Sequence, residues 1–484
     1  MEWVLPAILV FLPIAAGCLV MALPLSRRGC FTVSVVVLVL CCLIQAYALR
    51  LEGSWSIGFS STGVLFGFQL DFYGKVLSTI TLFIGLLIIV FSYDYLSPRN
   101  REHPVYNGFS RYYGLMLVFV GSMVGVSISS TLPALFVFYE LTGVCSCLLI
   151  SFYRDEESCR NGLEALLLTH IGGLCLLAAS VLTYWYTGGL SLSSLHSLPA
   201  RIAAPVAILF LIAALAKSAQ LPFHIWLPHA MVAPTTVSAY LHAAAMVKVG
   251  VFTLLRFVEY AMPALTASHV ASQALFIAGV AVSLATMFYG VSMYYAQRNL
   301  KTLLAYSTIV QLSYMILAVS FSVGEGSMAG VRAAIYHLWN HSFAKALLFL
   351  CAGAIAYATG SKSIGELRGL AFKRGFKPVA LGWIAGSAAI SGVPPFNCFY
   401  SKLAIISVGL HGPLIAKAAS ILAVVESLLC FILFMSLSLD VLSRRKGVSG
   451  DLRAPSHSMS IVLLVLAAMT LASPYIPSPS SWGW

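Results

Sequence analysis

The sequence predicts an all-α polytopic membrane protein of about 14 crossings, with two inverted five-helix repeats and interrupted helices at the seventh and twelfth crossings. Three observations carry this fold class. Of 484 residues, 60% are hydrophobic and 9% charged, with a mean hydropathy of +0.92. A soluble chain has roughly a quarter of its residues charged, so the solvent here is a bilayer. Apolar runs of about 20 residues, enough to cross about 30 Å of hydrocarbon, recur along the whole chain. Prolines interrupt two of these runs, five runs apart, each beside a lysine.

The runs fall at 3–24, 29–49, 72–96, 112–130, 133–152, 163–186, 203–221, 232–257, 270–293, 302–322, 331–359, 378–409, 413–440 and 457–475. The first is too long for a signal-peptide core, and no small-residue cleavage site follows it, so it reads as a membrane helix. Between the second and third, "SWSIGFSSTGVLFGFQLDF" alternates polar and apolar residues, the period of a small extramembrane hairpin. The expected units are 1–111 (three helices and the hairpin), 112–258 (first repeat), 269–441 (second repeat) and 442–484 (a loop and the last helix).

The formal charge is +12. With the N-terminus outside, 18 of the 28 Lys and Arg fall in cytoplasmic loops, among them Arg27, Arg298, Lys301, Lys362, Arg444, Arg445 and Lys446. Five, including Arg256 and Arg332, lie near the outer face. This asymmetry sets orientation in a cell (inner) membrane with both termini outside; it does not signal nucleic acid. The 11 cysteines show no disulfide-like spacing. Cys41, Cys42, Cys145 and Cys147 lie in apolar runs, where a free cysteine packs as a small hydrophobe.

Lys75 lies near a helix end, where it can snorkel. Lys217, Lys248, Lys345, Lys402 and Glu140 fall at depth. A lysine at the bilayer centre costs about 3 kcal/mol, so these groups face protein or a water-filled cavity. "ALAKSAQLPFHIW" puts Lys217 before Pro222, and "ISGVPPFNCFYSKL" puts Pro394 and Pro395 before Lys402. Proline breaks the helical ladder, and freed carbonyls are tolerated in a membrane where they line a cavity. Two such helices five crossings apart place two five-helix halves in opposite senses, the pattern of a transport site near the midplane.

Burial disfavours the charged form of a lysine and a nearby carboxylate restores it. Glu140 and Lys217, at adjustable separation, therefore form a candidate proton switch. His337, His341 and Lys345 stand four residues apart and share one helix face. An unperturbed imidazole titrates near pH 6.5, so this stripe, with His242 and Lys248, reads as a proton relay. A metal or haem at His337 and His341 lacks the Cys, Asp or Glu to complete a ligand set. Glu426 is open between a pairing with Lys402, an exit path and contact with a neighbouring subunit. Glu164 reads as an interface residue. No GxGxxG or Cys cluster is present, so the chain itself carries no catalytic, cofactor or metal site.

"KSAQLPFHIWLPHAMVAPTTVSAYLHAAAMVKVGVF" (217–252), "LKTLLAYSTIVQLSYM" (300–315), "HLWNHSFAKALLFLCAGAI" (337–355) and "YELTGVCSCLLISFY" (139–153) resemble the antiporter-like membrane subunits. That family includes the large proton-pumping subunits of respiratory complex I, the A and D components of Mrp cation/proton antiporters, and related components of membrane-bound hydrogenases and formate hydrogenlyases. The resemblance runs from about 70 to 410. It implies 14 helices, two inverted bundles and a hydrated polar axis along the midplane. By position, Glu140 is similar to the family's pairing glutamate, Lys217 to its pumping lysine and Lys248 to its bridging lysine. His242 is similar to a histidine found in the Mrp A component and in the distal complex I member. His337, His341 and Lys345 resemble the central relay, Lys402 the outlet lysine, and Lys301 a basic residue opening the tenth helix. His224, Lys301, His170 and Glu426 are accessory candidates.

The distal complex I member carries an Arg and an Asp in its sixth helix where this chain reads "THIGG", with His170 as a partial replacement. The sequence stops at Trp484, so neither a lateral helix nor further C-terminal helices are expected. The expected function is translocation of protons, or exchange of protons with Na+, by one subunit of a multisubunit complex. The expected partners are other membrane subunits, including homologous ones, and the drive is a peripheral redox arm or an ion gradient. The alternatives are a self-contained carrier of a small solute, against which the lateral row of lysines speaks, and a scaffold subunit with unused polar groups.

Overall fold

The computed structural model describes residues 4–51, 54–59, 63–443 and 453–476. Arg444, Arg445, Lys446 and Trp484 lie outside the described residues. The helices are α1 (Leu5–Ala22), α2 (Arg27–Ala48), α3 (Phe72–Tyr95), α4 (Phe109–Ile128), α5 (Leu132–Ile150), α6 (Glu156–Thr187), α7 (Ala200–Lys217), α8 (Trp226–His229), α9 (Thr235–Ala243), α10 (Met246–Ala267), α11 (His269–Ala296), α12 (Leu300–Glu325), α13 (Ala329–Thr359), α14 (Lys377–Ser391), α15 (Asn397–His411), α16 (Leu414–Leu442) and α17 (His457–Ala472). Among the described residues, 13 stretches are long and apolar enough to cross a membrane, with α9 and α10 counted together. The expected twelfth crossing is a further one, made of two 15-residue helices, α14 and α15, separated by residues 392–396.

The helix ends follow local chemistry. α6 starts at Glu156, several residues before the apolar run, because the Asp155 carboxylate accepts from the Ser158 amide at 2.8 Å and Glu156 and Glu157 occupy the first turn. Acidic groups favour a helix N-terminus. The expected hairpin is present: β1 (Ser54–Phe59) pairs antiparallel with β2 (Gly63–Gln69), Trp55 opposite Phe68. Two strands alone are marginal. Here the Trp55 and Phe68 rings stack at 5.4 Å and Phe11 of α1 meets both edge-on.

Burial sorts the helices. The spanning windows of α4, α12 and α13 are 94% buried, against 33% for α2 and α16. The outer helices turn aliphatic side chains outward, as lipid requires. The inner ones carry the polar groups. Close helix contact needs small residues: a Cβ at Gly250 of α10 would collide with the Ala214 carbonyl of α7.

Both interrupted helices close in the same way. After Lys217, Ala219 takes φ +50° and the Gln220 amide donates back to the Leu215 carbonyl at 2.9 Å. After Ser391, Gly392 takes φ +77° and the Val393 amide donates to the Ala388 carbonyl at 3.0 Å. Each is a left-handed residue followed by a bond spanning five residues, the usual helix stop. Glycine adopts that conformation freely; alanine is strained by about 1–2 kcal/mol.

Candidate functional site

The first interruption presents Lys217 at the end of α7. Its side chain is 1% exposed. Nζ donates to the Tyr139 carbonyl at 2.8 Å and lies 4.2 Å from the centre of the Tyr139 ring. Glu140 follows Tyr139 on α5, and successive helix residues diverge by about 100°. Its carboxylate leaves on the outer side, where Oε2 lies 2.9 Å from His170 Nδ1 on α6. Among the described residues no ion pair joins Glu140 to Lys217 in this structure. The space for the Glu140 carboxylate is made by Gly173, where a Cβ would overlap Oε1. Glu164 pairs with His229, 3.1 Å away.

Two bonds tie the first interruption to α10 and to α12. Ser218 Oγ donates to the Val247 carbonyl at 2.9 Å, and Gln220 receives the Ser313 hydroxyl of α12 at 2.6 Å. A third interruption, not expected from the sequence, separates α9 from α10 at Ala244 and Ala245. Lys248 explains it. Its ammonium donates to the Ala243 carbonyl, to the Ser342 hydroxyl of α13 and, at 3.3 Å, to the Leu338 carbonyl. His242 sits beside this break, fully buried, its ring 4.4 Å from that of Phe349.

The stripe on α13 is fully buried. The His337 and His341 rings are 5.9 Å apart. His337 Nδ1 lies 2.9 Å from Ser401 Oγ and Nε2 lies 3.1 Å from Gln311 Oε1. Lys345 donates to Ser307 Oγ and, at 3.1 Å, to the Leu304 carbonyl. Among the described residues, neither ring nitrogen of His242 or of His341 has a partner. Buried polar groups are almost always satisfied, so water is the partner these four nitrogens call for.

Beyond the second interruption, Lys402 of α15 donates to Ser427 Oγ at 3.1 Å and its ammonium stands 5.2 Å from the Tyr314 ring centre. Glu426 accepts from Tyr314 OH at 2.6 Å and from Tyr294 OH at 3.3 Å. Of the three options left open for Glu426, a direct ion pair with Lys402 is not formed; the Tyr314 ring and hydroxyl serve one charge each. Lys301, expected in a loop, is 1% exposed and donates to the Ala233 carbonyl at 2.6 Å. His224 packs on the Tyr289 ring at 4.5 Å, away from the row. Arg256, expected near a surface, is 1% exposed between Asp71 at 2.6 Å and Glu259 at 2.8 Å. Sequence reasoning missed Tyr139, Gln311, Tyr314 and Ser401. Gln311 and Tyr314 stand three apart in the 300–315 motif, the one signal available for them.

The family model described as NADH:quinone oxidoreductase/Mrp antiporter, TM, matches residues 129–430. The A/B component of a probable K(+)/H(+) antiporter of Rhizobium meliloti (strain 1021) is 34% identical over 411 residues, 82% of this chain and 39% of that protein. A chain of the Mrp complex from Dietzia sp. DQ12-45-1b superposes with a TM-score of 0.82 at 30% identity, covering 97% of this chain and 49% of that one. A chain of a membrane-bound sulfane sulfur reductase, an archaeal respiratory membrane complex, gives a TM-score of 0.84 at 23% identity, covering 99% and 95%, and shows the shared fold. This chain thus spans about half, or less, of the length of the two antiporter chains it matches. A multi-pass helical membrane protein whose matched segment holds Glu140 and all five of the lysines buried among the described residues belongs to the NADH:quinone oxidoreductase/Mrp antiporter membrane family.

Proposed function

We propose that the chain is an ion-translocating, antiporter-like subunit of a multisubunit membrane complex and moves protons, alone or in exchange with Na+. It lies in the cell membrane with both termini outside, and its two inverted halves are 112–258 and 269–441. A proton taken up from the cytoplasmic face reaches Lys217. It passes Lys248 and His242, then water with His341, His337 and Lys345, and leaves outward near Lys402. Each group returns to its starting charge when it hands the proton on. Glu140 and a neighbouring subunit set whether Lys217 holds its proton, and partner subunits or an ion gradient supply the drive.

One observation carries this reading: a row of buried lysines and histidines crosses the interior from one interruption to the other, with His242 and His341 at its centre unpartnered among the described residues. Isolated buried charges are expensive and rarely stabilise a fold, which favours a working role. The test is proton transport in everted vesicles carrying the whole complex. Lys217→Ala abolishes transport and leaves assembly intact; full transport in that variant refutes the mechanism. Co-purified flavin, nickel or Fe–S subunits identify a redox drive, and colourless membrane subunits alone identify a gradient-driven antiporter.

A further inference from the structure

A cavity of about 620 Å³ opens on the face that carries the arginine- and lysine-rich loops. Asp155 and His229 line one side of it, and Asn299, Thr302 and Lys362 the other. Two charged groups stand just behind this wall. Val232 and Thr302 line the cavity, and the residues next to them, Ala233 and Lys301, are joined by the 2.6 Å bond from Nζ to the carbonyl. Glu102 lies behind Lys362: its side chain is 4% exposed and Oε1 is 2.7 Å from Lys362 Nζ.

Lys362 is held there by backbone pairing, since the Leu300 amide donates to its carbonyl at 2.8 Å and the Ile364 amide to that of Arg298 at 3.0 Å. From Glu102 hydrogen bonds lead inward. Tyr95 OH donates to Oε2 at 2.9 Å and lies 3.0 Å from Thr235 Oγ1, at the start of the helix that ends beside His242.

We propose that this cavity is the intake vestibule for the transported cation and that Glu102, screened by Lys362, is its gate. The proposal rests on the translocation reading above. With Lys362 in place, the Glu102 charge is neutralised and the route from cavity to α9 is shut. When Lys362 swings away, the buried carboxylate faces the cavity without a direct ion-pair partner, and Lys301, outside ion-pair distance, is the positive charge that remains nearby. Such a group is strongly unfavourable unless paired, so it draws in hydronium or Na+ to the foot of α9. The device has two occupied states, lysine or cargo.

Everted vesicles carrying the whole complex turn this face to the medium. Proton transport is followed with a pH-sensitive dye, with and without Na+, which separates the two cargoes. T302C labelled with a membrane-impermeant, negatively charged thiol reagent loses about tenfold in rate, about 1.4 kcal/mol of barrier. Untreated T302C and reagent-treated wild type keep theirs, so folding is not in question. E102Q raises the proton or Na+ concentration needed for half-maximal rate about tenfold with the maximal rate kept, a loss of uniform binding, and E102D restores most of it.

Fully labelled T302C that transports at the untreated rate overturns the vestibule. A charge swap, E102K with K362E, that restores wild-type concentration dependence overturns the gate, because a strut is indifferent to the direction of the pair. K217A separates the two levels. If K217A and labelled T302C both transport normally, the translocation reading has failed; if only labelled T302C does, the vestibule alone has failed.

Discussion

Glu140 Oε2 lies 2.9 Å from His170 Nδ1, while Lys217 is bonded to the carbonyl of the preceding residue, Tyr139, and is not its partner. The carboxylate is thus held on the outer side of the bundle, with its side chain 21% exposed and that of His170 47% exposed. His170→Ala removes that hold. Loss of a hydrogen bond to a charged group is worth about 1.5–3 kcal/mol, so transport is expected to fall about tenfold or more, while His170→Arg keeps most of it. Rates in vesicles, normalised to assembled complex, check this.

Gly173 gives an independent handle on the same carboxylate. A Cβ at 173 would overlap Glu140 Oε1, the free end of a flexible side chain, so Gly173→Ala displaces the carboxylate and leaves the helices where they are. Glycine to alanine inside a helix contributes up to about 1 kcal/mol of stability. The expected outcome is a complex that melts no earlier than wild type but transports as poorly as Glu140→Gln. Thermal melting and transport measured on the same preparation decide it.

Tyr314 touches two charges in different ways. Its hydroxyl donates to Glu426 at 2.6 Å, and its ring lies 5.2 Å from the Lys402 ammonium. Tyr314→Phe removes the first contact and keeps the second; Tyr314→Leu removes both. Phe is expected to slow transport to the level of Glu426→Gln, and the double variant Tyr314→Phe with Glu426→Gln to be no slower than either, since residues of one network are not additive. Leu is expected to be slower than Phe. A double-mutant cycle on initial rates tests the coupling.

These residues also mark how far the sequence could be read. The interruptions after Lys217 and Ser391 were legible because Pro222, Pro394 and Pro395 announce them. The stripe His337, His341 and Lys345 was legible because helix geometry fixes which residues share a face. The interruption at Ala244 and Ala245 was not. "HAAAMVKV" holds no proline or glycine, and the break is tertiary in origin, with Lys248 reaching back for the Ala243 carbonyl while anchored on Ser342 of a distant helix. The tyrosine partners of Glu426 escaped for the same reason, and Glu140, expected to pair with Lys217, meets the accessory candidate His170 instead. A sequence shows that a charge is in the membrane, but which neighbour meets it depends on helix rotation, and a turn of 100° exchanges Lys217 for His170. Glu102 escaped because it sits in a loop, where one more acidic residue is unremarked until Lys362 folds over it.

The Glu102 clasp makes a pH prediction whose sign can be worked out. Burial alone would raise its carboxyl, but the charges of Lys301 and Lys362 and the hydrogen bonds from Lys362 and Tyr95 outweigh it and hold it below the ordinary value of 4.5. Tyr153 and His103 are the other titratable groups nearby. A carboxyl whose folded value is lowered binds its proton more weakly than the unfolded chain does, so the unfolded state gains as pH falls. The clasp therefore stabilises the fold fully above about pH 4.5 and is lost as pH drops through the lowered folded value. Glu102→Gln carries no such charge. In detergent, melting followed by tryptophan fluorescence is expected to show wild type above Glu102→Gln at neutral pH, with the gap closing below about pH 4.5. A gap that is constant across that range, or that widens on acidification, shows that Glu102 is not held charged by the two lysines.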